Sequence, residues 1–182
     1  GHVGQAHVVG ALGHPGDGAA RAVAGTGGRR VTAGYWCVIP AGGRGSRFGG
    51  GIPKQFIEVG GRSILLHTLE ALLLHPRIAG AVVALPAQGA DLPDAIHGKP
   101  VLPCAGGDSR ADSVANALST VPADVGDDDP VLVHDAARPN IAHHDLDALF
   151  DALARHPQGA ILAAPVRDTL KRANANGDIA GT

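Results

Sequence analysis

From Tyr35 onward, short apolar runs alternate with longer segments that have helical periodicity. The apolar runs are residues 35–40, 81–85, 100–104, 130–133 and 159–164. Runs of this length without polar alternation predict buried strands. Because strands that alternate with helices form βαβ units, we predict an α/β fold with a mainly parallel, twisted sheet and helices on both faces.

Three segments between these strands predict helices. Ser63 can cap the first, whose leucines recur on one face. Asp108 can cap the second, which runs to about Leu118 with Val114 facing inward. The third covers about residues 144–155.

The first 34 residues differ from the rest of the chain. They are rich in Gly, Ala, His and Arg and show neither helical nor strand periodicity. We therefore expect residues 1–34 to be a disordered N-terminal extension, and residues 35–182 to form one domain with its own core.

Charge and cysteine content narrow the class of protein. With 15 basic and 17 acidic residues the net charge is −2, so neither a nucleic acid nor a membrane surface is an expected partner. The longest apolar runs fall far short of the roughly 20 residues of a membrane span. Cys37 and Cys104 have neither disulfide-framework nor metal-site spacing, so we expect two reduced thiols in a cytoplasmic protein.

Ligands of parallel α/β sheets bind beyond the carboxyl ends of the strands. The first such segment contains Gly42, Gly43 and Gly45, whose backbone N–H groups can approach phosphate oxygens. Arg47 and Lys54 add positive charge nearby. The spacing fits neither a Walker A motif nor a dinucleotide fingerprint, and a tight turn with two solvated cations is the alternative interpretation.

Two further segments follow predicted strands. Gly106-Gly107 permits close backbone approach, and Ser113 can reach inward from the next helix. Asp135 directly follows a buried run, where it can hold Mg²⁺ or a substrate hydroxyl, and Arg138 lies three residues later. The alternative is that Asp135 caps a turn while Arg138 pairs with a surface carboxylate.

Together, these segments resemble the 2-C-methyl-D-erythritol 4-phosphate cytidylyltransferase family. The likeness runs from about Trp36 to Thr182. Four stretches carry it in the family's order and spacing: residues 40–47 with 53–55, 107–114, 133–139 and 164–171.

The resemblance implies a Rossmann-like nucleotidyltransferase fold for residues 35–182, working as a homodimer with Mg²⁺. It also implies a reaction of the non-mevalonate isoprenoid pathway. In this reaction CTP and 2-C-methyl-D-erythritol 4-phosphate give 4-diphosphocytidyl-2-C-methyl-D-erythritol and pyrophosphate.

Roles for individual residues follow from the same resemblance. The residues implied to contact the nucleotide are Ala41, Gly42, Gly43, Gly107, Asp108 and Ser113. Arg47 and Lys54 would stabilise the transition state. Those implied at the second substrate are Asp135, also at the metal, with Ala136 and Arg138, and Thr169 on an arm that reaches the other subunit.

The family continues beyond the equivalent of Thr182, with an Arg and a Lys that hold the substrate phosphate. We therefore expect a complete nucleotide half-site, a partial alcohol-phosphate half-site, and weak or no activity of this C-terminally truncated chain alone.

Three other functions stay open. A ribitol-5-phosphate cytidylyltransferase would share these motifs. A sugar-1-phosphate or molybdopterin nucleotidyltransferase would share the Gly-rich loop and Lys54, although residues 108–113 and 135–138 argue against it. A non-catalytic nucleotide-binding or dimerisation fragment is the third.

Overall fold

The structure is a computed structural model and describes residues 8–11, 21–23, 34–42, 52–126, 128–156, 159–163, 169 and 171–181. The strands, in chain order, are β1 (Val8–Ala11), β2 (Arg21–Val23), β3 (Tyr35–Pro40), β4 (Glu58–Val59), β5 (Arg62–Ser63), β6 (Ile78–Leu85), β7 (Ala95–Ile96), β8 (Lys99–Ala105), β9 (Val131–Val133), β10 (Ile161–Ala163), β11 (Arg172–Ala173) and β12 (Ile179–Gly181). The helices are α1 (Ile64–Leu73), α2 (Arg110–Leu118) and α3 (His143–Leu153), and a 3₁₀ turn covers Lys54–Phe56.

The main sheet has eight strands in the order β2-β10-β1-β9-β3-β6-β8-β7. All neighbours from β10 to β8 pair in parallel, and only the edge strands β2 and β7 are antiparallel. The predicted fold class, a mainly parallel α/β sheet, is confirmed. Two small two-stranded sheets, β4-β5 and β11-β12, lie apart from it.

The sheet is covered on both faces, as predicted. Alternate residues of β3 point to opposite sides because the side-chain period of a strand is two. Cys37 and Ile39 pack in the larger core with α1 and α3, whereas Trp36 and Val38 pack in the smaller core with α2. Within the described residues, no helix combines the length and apolar character that crossing a lipid bilayer requires.

The helix caps agree with the sequence at α1 and differ at α2. The Ser63 side chain accepts a hydrogen bond from the backbone N–H of Leu66, as predicted. At α2 the predicted cap, Asp108, is wrong by one residue, because Ser109 and Asp112 cap each other's backbone N–H groups reciprocally. This capping box leaves Asp108 in the loop before the helix.

Two strands come from the segment predicted to be a disordered extension. β1 lies between β9 and β10, with Val9 opposite Leu132 and Gly10 opposite Ile161, and β2 pairs with β10. These seven residues are described as strands, and the disordered extension over residues 1–34 stays a prediction. Strand edges carry unpaired backbone groups that any extended segment can satisfy without side-chain periodicity. The predicted domain boundary at residue 35 stays a prediction.

Adjacent leucines at the end of α1 offer a matched test of the core. Leu73 is fully buried, whereas the Leu74 residue is 57% exposed. We expect Leu73→Ala to lower the free energy of unfolding by about 2–5 kcal/mol through lost burial and a cavity. The same change at Leu74 should cost no more than about 0.5 kcal/mol. Urea unfolding of both variants measures the difference, and equal losses would contradict the described packing.

Candidate functional site

A cleft of about 670 Å³ opens beyond the carboxyl ends of β3, β6 and β8. Its walls are the turns after these strands, represented by Gly42, Gln88 and Gly107, and the first residue of α2, Arg110. The chain moves outward from β3 to β8 and then returns to β9 on the other side of β3. Such a reversal of strand order is where ligands of α/β sheets bind, and the volume suits a small molecule.

Two glycines let the turns after β3 and β8 touch. A Cβ atom on Gly42 would lie 3.2 Å from the Gly106 Cα, and one on Gly106 would lie 2.8 Å from the Leu85 carbonyl oxygen. The Gly106 N–H donates to that same Leu85 oxygen at 2.7 Å. The two turns can lie this close because neither glycine has a side chain. The predicted approach of this backbone to a ligand stays a prediction.

A hydrogen bond to Ser113 links α2 to the turn after β8. The Ser113 hydroxyl accepts a hydrogen bond from the Gly107 N–H and donates one to the Ser109 carbonyl, both at 3.0 Å. The residue is 2% exposed, so it reaches inward as predicted. Gly107 has no room for a side chain, because a Cβ there would lie 2.2 Å from the Asp112 Cβ.

The 3₁₀ turn brings Lys54 to the same edge. Its neighbour Gln55 is buried and donates from Nε2 to the Ala41 carbonyl at 2.7 Å. Lys54 itself is exposed. Sequence reasoning missed Gln55, whose anchoring role has no local signal beyond its place beside Lys54.

Asp135 lies between two arginines after β9. Asp135 Oδ1 is 2.7 Å from Nη1 of Arg110, and Oδ2 is 2.7 Å from Nε of Arg138. Two guanidinium groups around one carboxylate leave a net positive charge there. Arg110 also lines the cleft, so this cluster faces any bound anion. Sequence analysis placed Arg138 near Asp135 but missed Arg110.

The polar residue under this cluster is His134. It is 2% exposed, and Nε2 lies 2.9 Å from the Arg138 carbonyl oxygen, while Nδ1 is buried without a partner in the described residues. Burial lowers the pKa of His134, opposed in part by the Arg138 carbonyl and by Asp135. The ring is therefore neutral at neutral pH and adds no third cation.

Thr68 fixes Ala136, one of the residues predicted at the second substrate. Thr68 is fully buried in α1, and its hydroxyl lies 3.1 Å from the Ala136 carbonyl and 2.9 Å from that of Ile64. Sequence reasoning missed Thr68, because nothing local links it to a loop 68 residues later.

The structure brings most of the predicted site residues to one edge of the sheet. Gly42, Gly107, Asp108 and Ser113 line the cleft. Ala41 and Lys54 are sequence neighbours of the lining residues Gly42 and Pro53. Asp135, Ala136 and Arg138 follow β9, where Asp135 contacts the lining residue Arg110. Gly43 and Arg47 lie outside the described residues. Thr169 is exposed, and so is every residue from 171 to 181, including the β11-β12 hairpin. The ligand roles of all these residues stay predictions.

The side chains that could bind a metal ion are few in the described residues. Among the described residues there is no cluster of three His, Cys, Asp or Glu side chains that could hold an ion. Asp135 offers one carboxylate at the rim of the cleft. One carboxylate combined with ligand phosphates is a common arrangement for Mg²⁺.

Residues 35–182 match the 2-C-methyl-D-erythritol 4-phosphate cytidylyltransferase family. The chain belongs to this family. The family's sequence match starts where the regular strand and helix pattern starts, at Tyr35.

Relatives with the same description are about half identical to this chain over the aligned residues. The protein from Xanthomonas campestris pv. campestris strain 8004 is 53% identical over 154 residues, covering 84% of this chain and 58% of that protein. The one from Stenotrophomonas maltophilia strain K279a is 53% identical over 154 residues, covering 84% of this chain and 66% of its own length. The chain thus spans less than two thirds of these relatives.

Two solved structures show the same fold. The crystal structure of a 4-diphosphocytidyl-2C-methyl-D-erythritol synthase aligns with a TM-score of 0.68 at 30% identity, over 84% of this chain and 68% of that one. The family protein from Thermus thermophilus aligns with a TM-score of 0.56 at 29% identity, over 81% of this chain and 64% of that one.

Ser113 in α2 and Ser119 at its C-terminal cap allow the contribution of the Ser113–Gly107 hydrogen bond to be compared with that of an ordinary serine-to-backbone bond. Ser113 and Ser119 both donate to the carbonyl four residues earlier, but only Ser113 also accepts from Gly107. We expect Ser113→Ala to lower the free energy of unfolding by about 1–2 kcal/mol, since the Gly107 N–H loses its acceptor. Ser119 is exposed, so Ser119→Ala should stay within about 0.5 kcal/mol. Thermal unfolding compares them; a loss at Ser119 matching that at Ser113 would contradict the anchoring role.

Proposed function

We propose that this chain binds CTP in the cleft and transfers its cytidylyl group to 2-C-methyl-D-erythritol 4-phosphate, releasing pyrophosphate. The observation that carries the proposal is the cleft itself. Glycine-lined turns form one wall, and the net positive cluster of Arg110, Asp135 and Arg138 stands at its rim. Membership of the family, and the named function of relatives that are 53% identical to it over 154 aligned residues, support the choice of substrates.

The nucleotide half-site consists mainly of backbone. Gly42, Gly106 and Gly107 leave room for a base and its phosphates to approach the main chain. A fixed main chain can distinguish the donor and acceptor pattern of cytosine from that of other bases, provided that its turns keep their shape. The hydrogen bonds of Gln55 and Ser113 hold two of those turns.

The reaction needs positioning and charge neutralisation more than proton transfer. An oxygen of the alcohol phosphate attacks the α-phosphorus of CTP; a new P–O bond forms, and the bond from the α-phosphorus to the bridging oxygen breaks as pyrophosphate leaves. The attacking oxygen is already anionic at neutral pH, so no general base is required. Lys54 and Arg47 would neutralise charge on the phosphoryl oxygens, and ordered binding of both anions supplies proximity.

We assign Mg²⁺ to Asp135. Its carboxylate and the nucleotide phosphates together offer the hard oxygen ligands that Mg²⁺ prefers. When bound, the ion would offset phosphate charge. The residues of the chain orient Asp135 itself, through Arg110 and Arg138.

The second substrate and the assembly are also proposals. Asp135, Ala136 and Arg138 would hold the alcohol phosphate, together with Thr169 from the partner in a homodimer. The exposed hairpin that follows Thr169 supports an arm of this kind. Cys37 and Cys104 are free thiols, which supports the reducing environment of the cytoplasm.

Nucleotide selectivity tests the proposal directly. Binding calorimetry should show that the purified chain with Mg²⁺ holds CTP more tightly than ATP, GTP or UTP. Pyrophosphate release from CTP plus 2-C-methyl-D-erythritol 4-phosphate should be weak, as expected above for this chain alone, and should depend on both substrates. Replacing the alcohol with ribitol 5-phosphate should abolish release. Preference for another nucleotide in both measurements would overturn the proposal, and faster release with ribitol 5-phosphate would reassign the second substrate.

Lys54→Ala tests the role of the 3₁₀ turn. We expect the weak turnover of the parent chain to fall by about 100-fold or more, because charge in the transition state loses a stabilising cation, while CTP affinity changes much less. Arg155→Ala is the matched control. Arg155 is exposed just after α3, at the opposite edge of the sheet, and its loss should leave both quantities unchanged. A parallel fall in affinity and turnover for Lys54→Ala would mean that Lys54 only binds the nucleotide.

A further inference from the structure

Arg110 joins two elements that lie far apart in the sheet. It begins α2, which follows β8, whereas Asp135 follows β9, and β6 and β3 lie between those strands. Neighbouring strands are about 4.8 Å apart, so roughly 14 Å separates β8 from β9. Because α2 packs across β6 and β3, its first residue, Arg110, reaches Asp135 at 2.7 Å, at the rim of the cleft.

The second arginine on Asp135 is local by comparison. Arg138 is three residues from Asp135, and its backbone N–H donates to the Asp135 carbonyl at 3.2 Å. Its own carbonyl lies 2.9 Å from Nε2 of the buried His134. The Arg138 contact thus belongs to the loop after β9, whereas the Arg110 contact depends on where α2 stands.

The backbone of Arg110 is held in place, whereas its guanidinium group is accessible to solvent. The capping box of Ser109 and Asp112 sets the start of the helix, while the Arg110 side chain is 57% exposed and lines the cleft. An ion pair between partly exposed groups contributes little in water. Bidentate hydrogen bonds from a guanidinium to a phosphate are among the strong ones. A phosphate in the cleft therefore competes well with Asp135 for this side chain.

We propose that Arg110 is a positioning residue that acts through Asp135. Without ligand it holds one carboxylate oxygen, and it exchanges that oxygen for a phosphate when a polyphosphate enters the cleft. The exchange leaves Oδ1 of Asp135 accessible to the second substrate. This inference rests on the proposed function in so far as it assigns the cleft to the phosphates of a nucleotide.

Inorganic tripolyphosphate tests this exchange without any contribution from a nucleobase, because it carries only phosphates. Calorimetric titrations of the full chain, with EDTA at about 0.15 M salt so that distant charges are screened, would compare the parent, Asp135→Asn, Arg110→Gln and the double variant. We expect Asp135→Asn to tighten binding about two- to fivefold, because Arg110 loses its competing partner. With Arg110→Gln already present, Asp135→Asn should change the affinity by less than about 1.5-fold.

Arg138→Gln is the matched control, since it removes the other guanidinium on the same carboxylate. In that background, Asp135→Asn should still tighten tripolyphosphate binding. Arg110→Lys keeps the charge and shortens the side chain. In that background the effect of Asp135→Asn on tripolyphosphate affinity should lie between its effects in the parent and in Arg110→Gln. Arg110→Lys also serves in place of Arg110→Gln if the latter variant unfolds.

Three results would overturn the inference: equal tightening in every background, no tightening with Arg110 present, or no tripolyphosphate binding by the parent chain. The first would reduce the effect to removal of a negative charge. If Asp135→Asn tightens tripolyphosphate binding only when Arg110 is present, but CTP is not preferred over other nucleotides, the proposed function fails and the exchange stands. If CTP is preferred, but Asp135→Asn has the same effect with and without Arg110, the exchange fails and the proposed function stands.

Discussion

The turns after β3 and β8 meet backbone to backbone at Gly42 and Gly106, and the cleft depends on that contact. β6 ends between them, and its Leu85 carbonyl accepts from Gly106. A side chain at either glycine would push the two turns apart and carry the start of α2 with them. Because Arg110 begins that helix, the backbone position from which Arg110 reaches Asp135 depends on the same close approach. One steric constraint therefore sets both the shape of the cleft and the charge at its rim.

Buried polar side chains hold the loops around this contact. Gln55, Thr68, Ser113 and His134 are each at most 6% exposed, and each lies within hydrogen-bonding distance of a backbone group in a loop at this edge of the sheet. A buried polar group costs free energy unless it is paired, so these residues restrict the loops to conformations that satisfy them. The strands provide position, and these four residues provide orientation. These hydrogen bonds also determine where the nearby residues Lys54, Ala136 and Arg138 lie.

Local pattern is sufficient for the three helices, for five of the described strands (β3, β6, β8, β9 and β10) and for part of the site. The run from Tyr35 to Pro40 was predicted to the residue, because every position but the last is buried and apolar. β6 starts at Ile78, three residues before the predicted start, since Gly80 interrupts the apolar pattern. That glycine is needed because a Cβ there would lie 2.7 Å from the Trp36 ring. The contact from Thr68 to Ala136 and the one from Arg110 to Asp135 leave no periodic signal, so only the tertiary structure shows them.

The position of β1 has a consequence for how the chain assembles. Val8 pairs with Val131, and Gly10 pairs with Ile161, so a strand near the start of the chain closes a gap between two of its latest strands. Contacts of such long sequence separation form slowly, since the entropy of loop closure must be overcome before they contribute. During synthesis the partners of β1 among the described residues, β9 and β10, emerge late, whereas β3 and β6 can already pair with each other. The cleft can therefore take shape before the far side of the sheet is complete.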